Sequence, residues 1–278
     1  MEPTCLGVLG LRHDRTPDVE VALDAIEKWQ NRDGSWPIFA SDEAEGCWTT
    51  SLAILTLLAT RPRSEHIRAG VGWLLDATGR EASWFWRWKF QMVDNGVKFD
   101  PAKYGWSWVP GTASWVIPTA FSLIALQQVR DSGLSQGTHL NDRLNVGNRM
   151  LLDRMCPGGG WNAGNGIAFG VAYAPYVDAT SIGLLALRRC ECEAVQASVS
   201  WLASRLADCS SPYSLAWGIL ALTAYRKRSA KIDDALSHAA DGLMVAINNT
   251  RALDTSTLAI CVLALEAVDG DNVFEVRG

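Results

Sequence analysis

From Asp18 to Gln30, apolar Val19, Ala22, Leu23, Ile26 and Trp29 recur at helical spacing, while Glu20, Asp24, Glu27 and Lys28 lie largely on the opposite side. The pattern predicts an amphipathic helix with one face in water. A tight turn at Asp33-Gly34, inside the stretch QNRDGSW, and a polar loop lead to CWTTSLAILTLLAT, Cys47 to Thr60, which is small or apolar on nearly every face. A helix of that composition is buried all round. The couplet returns four more times, with TAFSLIAL from Thr119, TSIGLLAL from Thr180, LAWGILAL from Leu215 and LAICVLAL from Leu258 as its buried members. These four share an Ala-Leu ending and a mix of small and bulky residues at similar offsets, so neighbouring helices can approach closely. Ten helices in five hairpins follow, an all-α chain with sheet nearly absent. The spacing gives a single domain over residues 1–278, interrupted by a Trp-rich insertion at about 80–112.

The turns repeat as well. CPGGGWNAGN, Cys156 to Asn165, matches the glycine-then-Trp ending of QNRDGSW, and Pro110-Gly111, Gly133 and Pro212 punctuate other junctions. Gln-x-x-x-Gly-x-Trp (Gln30 to Trp36) and Gly-x-x-Trp-Leu (Gly70 to Leu74) resemble the two halves of the QW repeat of squalene and oxidosqualene cyclases. Across about residues 17–268 the couplets resemble the prenyltransferase and squalene-cyclase repeat, which implies an α/α toroid with inner and outer rings of helices. In such a turn the indole can stack on the Gln, and the Gln amide can satisfy backbone groups at a neighbouring helix end, so Trp36 and Trp161 are expected to be staples. Thr78 and Met155 stand where the second and third repeats would carry Gln, and the fourth has no Gly-x-Trp between Leu206 and Tyr213. The same toroid also serves protein prenyltransferase β subunits and noncatalytic modules, so fold and activity are separate questions.

A net charge of −5 with mixed signs gives no basic stripe for nucleic acid or for an anionic membrane surface. No apolar run reaches transmembrane length, and the N-terminal MEPTCLGVLGLRHDR is too short in its apolar part for a signal peptide, so a cytoplasmic protein is expected. Seven scattered cysteines without a CxxC pair, and four histidines away from them, predict neither a metal site nor a cofactor. Cys190-Glu191-Cys192 reads as a pair of helix-end thiols in a reducing compartment.

In the cyclases that the chain resembles, the middle Asp of a DxDD motif, just before a Thr on an inner helix, protonates the substrate. Asp178 in Tyr176-Val177-Asp178-Ala179-Thr180 falls on that Asp, while Tyr176 and Ala179 replace the other two carboxylates. Asp178, like Asp254, is equally read as an N-cap or first-turn residue. Trp48, Trp115 and Tyr176 open inner helices at a shared rim, and Trp106 and Trp108 lie in the insertion. Their faces can line an isoprenoid cavity and stabilise a carbocation, or fill and cover a wide barrel end. Two functions remain open. One is protonation-initiated, class II cyclisation of an apolar isoprenoid by Asp178. The other is a noncatalytic toroid that binds an apolar molecule or a partner protein, whereas the cyclase reading expects a second helical subunit or a second copy to complete the cavity.

Overall fold

The segments fold as their patterning predicts, in a computed structural model that describes residues 1–14, 16–39, 44–92, 96–97, 99–226, 230–249 and 251–276. Among these the helices are, in chain order, α1 (Glu2–Gly10), α2 (Pro17–Lys28), α3 (Thr49–Thr60), α4 (His66–Asp76), α5 (Trp84–Met92) and α6 (Val116–Asp131). There follow α7 (Thr138–Asp153), α8 (Val177–Ala186), α9 (Glu193–Leu206), α10 (Pro212–Tyr225), α11 (Ala230–Asn249) and α12 (Thr255–Val268). The described sheet is a two-stranded hairpin, β1 (Ile167–Ala168) with antiparallel β2 (Val171–Ala172). Starts are chemically marked: the Thr16 hydroxyl accepts from Val19 N ahead of Pro17, and Asp254 Oδ1 accepts from Thr257 N at 3.0 Å.

The predominantly apolar helices α3, α6, α8, α10 and α12 form an inner ring, and amphipathic α2, α4, α7, α9 and α11 pack outside it. The ring is closed by α1, which lies between α12 and α3. Five hairpins therefore gain a sixth inner helix that the couplets do not announce. Its sequence, EPTCLGVLG, has no polar face because neighbours bury it, so it lacks the periodicity that marks the outer helices. The insertion holds a second unannounced helix, α5, while residues 93–95 and 98 of it lie outside the described set.

The lumen is filled. Phe121 of α6 meets Trp217 of α10 across it at 5.6 Å between ring centroids, although α8 separates those helices in the ring. Phe274, from the segment after α12, packs against both, at 6.2 Å from Phe121 and 5.2 Å from Trp217. This tail is fixed by Asn272, which donates to Leu220 O at 2.7 Å, and by Gln128, which donates to Val273 O at 2.8 Å. Arg12, paired with Glu266 and Asp271, ties the same end to α12.

Candidate functional site

Three tryptophans have one geometry. The indole N–H groups of Trp36, Trp106 and Trp161 donate to Ile26 O, Leu74 O and Leu151 O at 2.7, 2.8 and 2.7 Å. Each acceptor lies in the last turn of an outer helix, where carbonyls lack intrahelical partners. The backbone N–H of each Trp donates at 2.9 Å to a threonine hydroxyl near the start of the next inner helix, Thr50, Thr119 and Thr180. Every staple thus joins an outer helix end to an inner helix start. Gln30 reaches the neighbouring outer helix, donating to His66 O and Gly34 O at 2.9 Å, but the polar edge of the Trp36 indole is used by its own repeat. In the second repeat, where Thr78 replaces Gln, Arg143 of α7 places its guanidinium 3.9 Å from the Trp106 ring centre and donates to Ala77 O at 2.9 Å. Burial pulls the pKa of this guanidinium down to about 10, and the ring face stands in for a counter-ion that no described residue supplies.

The three threonines fix a common register, and the Ala-Leu endings extend it to α10 and α12. Two residues before the threonine position stand Trp48, Ile117, Asp178, Tyr213 and Ser256, one from each inner helix. One turn deeper stand Leu52, Phe121, Ile182, Trp217 and Ile260, all buried. Phe121 and Trp217 meet inside the lumen, and Trp48 packs on Phe121 at 5.5 Å, so the upper set rims the lumen's mouth. Glu2, on the first residue of α1, joins this rim. Tyr213 registers it: burial pushes its phenol up to about 12, with Glu2, Asp178 and Asp254 adding to the shift. Glu2 is itself raised by burial and by Asp254.

Asp178 is the second residue of α8, behind Tyr176 at the N-cap, and its half-buried carboxylate forms no hydrogen bond or ion pair among the described residues. Asp254 differs. Its carboxylate accepts from the amide and hydroxyl of Thr257, bonds that hold it below the usual carboxylate range, and it is the cap of α12. Of the aromatic candidates, Trp48 is buried at the rim with its edge on Trp108 at 5.2 Å. Trp115 and Tyr176 open α6 and α8 and are 37% and 55% exposed. Trp106 is the buried staple of the second repeat. Sequence reading passed over Glu2, Tyr213, Phe121 and Trp217, whose common signal is the register itself.

A cavity of about 220 Å³ lies beside this rim, bounded by Trp48, Trp73, Trp106, Thr78, Pro110 and Ser122. That is below the usual span of ligand pockets, roughly 300–1,000 Å³. A larger cavity, about 550 Å³, opens at the opposite end and is lined by Arg12, His13, Asp131, Asp271 and Glu275 among others, a charged set unsuited to an apolar chain. No group of three or more His, Cys, Asp or Glu side chains that could hold a metal ion occurs among the described residues. All seven cysteines are free.

No protein-family model matches the chain, and no curated protein matches it. Solved structures do. The type II terpene cyclase MstE from Scytonema aligns with a TM-score of 0.57 at 15% identity, over 96% of this chain and 88% of that one. The chain has a terpenoid-cyclase-like α/α-toroid fold. A variant of MstE in complex with its product, merosterolic acid A, aligns at 0.59 and 13% identity over 96% and 86% of the two chains. The ent-copalyl diphosphate synthase from Streptomyces platensis aligns at 0.59 and 16% identity, over 97% of this chain and 50% of the synthase. At such identities the likeness is one of fold.

Proposed function

We propose that this toroid binds an apolar isoprenoid at its mouth and that Asp178 starts a class II cyclisation by protonating a terminal alkene or epoxide. The observation that carries the reading is the rim register: of the five equivalent inner-helix positions, Asp178 alone is acidic, and its carboxylate is not consumed by capping. Trp48, flanked by Trp108, and Tyr213 give the same rim aromatic faces toward which a carbocation is attracted. Trp115 and Tyr176 extend the apolar lining outward. Tyr213 stays neutral in the physiological range, so it offers a hydroxyl and a ring without competing charge. Water would end the reaction by adding to the cation and passing its extra proton to solvent, or a rim carboxylate would end it by removing a proton from the carbon next to the cation, leaving an alkene. MstE is nearly matched in length by this one toroid, so the reading needs no second helical subunit. A reducing, cytoplasmic setting suits the seven free thiols.

One observation favours the noncatalytic alternative. The lumen below the rim is occupied by Phe121, Trp217 and Phe274, which leaves a ligand the mouth alone. Incubation with squalene, its epoxide and geranylgeranyl diphosphate in detergent, over mildly acidic to neutral pH, with mass-spectrometric analysis for cyclic products, separates the two. The cyclase reading expects a product in at least one case and its loss in Asp178→Asn, because the amide keeps the shape but cannot give the proton. No product from any of the three leaves the binding module.

A further inference from the structure

The lumen owes one of its aromatic side chains to no helix. In the tail that follows α12, Phe274 and Val276 are fully buried, whereas Asp271 is exposed and Glu275 half-buried. Phe274 packs on Phe121 and Trp217, which inner helices provide, so a non-helical segment fills space that the ring encloses.

The tail is held by side chains. Among the described residues its backbone-to-backbone bonds stay within it and the end of α12, Asp271 N donating to Glu266 O and Glu275 N to Asn272 O. Three polar clips join it to the rest of the toroid, at the end away from the mouth. Asn272 donates to Leu220 O and to the Thr223 hydroxyl at 2.7 and 2.9 Å, Gln128 donates to Val273 O, and Asp271 pairs with Arg12 and His13. Open space adjoins it as well. The cavity of about 550 Å³ has Asn272, Val273 and Glu275 in its lining, together with Pro62, Gln128 and Asp131.

We propose that the lumen between Phe121 and Trp217 is a binding site for an apolar chain and that Phe274 is its built-in occupant, a plug that a long ligand displaces. A phenyl ring and a branched hydrocarbon make the same demand on that site, dispersion contact without hydrogen bonds, so one can replace the other. Once its three clips open, the tail moves into the adjoining cavity and no helix of the ring has to shift. A chain that enters at the mouth and reaches past Phe121 must evict Phe274, so its affinity is reduced by the rarity of the open tail. A short chain that stays at the mouth is spared that cost, and the tail thereby discriminates ligands by length. The plug rests on the proposed function only for the class of ligand, an isoprenoid.

The test is hydrogen exchange of the tail amides, read by mass spectrometry, with and without saturating geranylgeraniol, beside calorimetric affinities for geranylgeraniol and the shorter geraniol. Geranylgeraniol should speed exchange in the tail, the reverse of the protection that a ligand gives to a segment it leaves in place. Asn272→Ala loosens a clip and keeps every lumen side chain, so it should raise both tail exchange and geranylgeraniol affinity roughly tenfold, with geraniol unaffected. Phe274→Ala should bind geranylgeraniol more tightly than wild type, and Phe274→Leu serves if the alanine variant does not fold. Tail exchange that is unchanged or slowed by geranylgeraniol, an Asn272→Ala affinity equal to wild type, or no binding by wild type and variants alike overturns the plug. Cyclic product formed while the tail stays protected removes the plug alone. Tail release by geranylgeraniol without cyclic product from any substrate removes the cyclase reading alone.

Discussion

At the scale of single residues, the indole of Trp36 illustrates how one side chain can serve two helices. It is fully buried, bonds the last turn of α2 through its N–H, and fastens its own backbone to Thr50 of α3. Trp36→Ala removes the packing and leaves Ile26 O without that partner, so a loss of about 3 kcal/mol or more is expected by chemical denaturation. Thr180→Val, which keeps the shape but deletes the acceptor for Trp161 N, should cost about 1–3 kcal/mol. Asp254 gives a pH signature. Its folded pKa is depressed, chiefly by the Thr257 hydroxyl, so its stabilisation is present above the unfolded carboxylate value and is lost as pH falls through the folded one. The melting-temperature gap between wild type and Asp254→Ala should be open at pH 7, worth about 1 kcal/mol as a cap, and should close at strongly acidic pH. A gap independent of pH would contradict the charged-cap assignment.

At the scale of elements, glycines decide how closely rings can approach. A Cβ on Gly70 of α4 would lie 2.7 Å from Cζ3 of Trp36 and 3.1 Å from Ile54, neither free to move in the core. Gly72, two residues on and facing solvent, would meet nothing within 4 Å. Gly72→Ala should therefore stabilise by up to about 0.5–1 kcal/mol through helix propensity, while Gly70→Ala should destabilise by about 1–3 kcal/mol through overpacking. Comparison of the two denaturation midpoints is the check, and equal shifts would mean that the indole is not wedged as described. Gly147 of α7 bears the same relation to Trp106, at 2.9 Å from its Cζ3, which marks Gly70 and Gly147 as equivalent positions.

At the scale of the whole molecule, closure of the inner ring and filling of its lumen are contributed by the two chain ends. α1 completes the ring, and Phe274 completes the aromatic stack at the end opposite the mouth. Phe274→Ala should cost about 3–5 kcal/mol, a core aromatic truncation, although the residue lies only a few positions after the last helix. Thermal unfolding followed by circular dichroism would reveal it. A variant with wild-type stability would show that the tail covers the lumen without supporting it.

The sequence by itself determined the ten helices of the five couplets and which ring each joins, because a helix with water on one side must carry a polar stripe and one enclosed by neighbours must not. It also exposed the repeat of Trp, Gly and Thr, since those residues act through local turns and helix ends. Asp178 was legible as a candidate by its place before Thr180. Tertiary structure decided the rest. α1 has no polar face, so only the gap between α12 and α3 explains it. Arg143 replaces a missing Gln from a different helix, a substitution that no local pattern records. The rim of Trp48, Asp178, Tyr213 and Glu2, and the stack of Phe121, Trp217 and Phe274 beneath it, join residues far apart along the chain, and proximity of that kind exists only once the ring has closed.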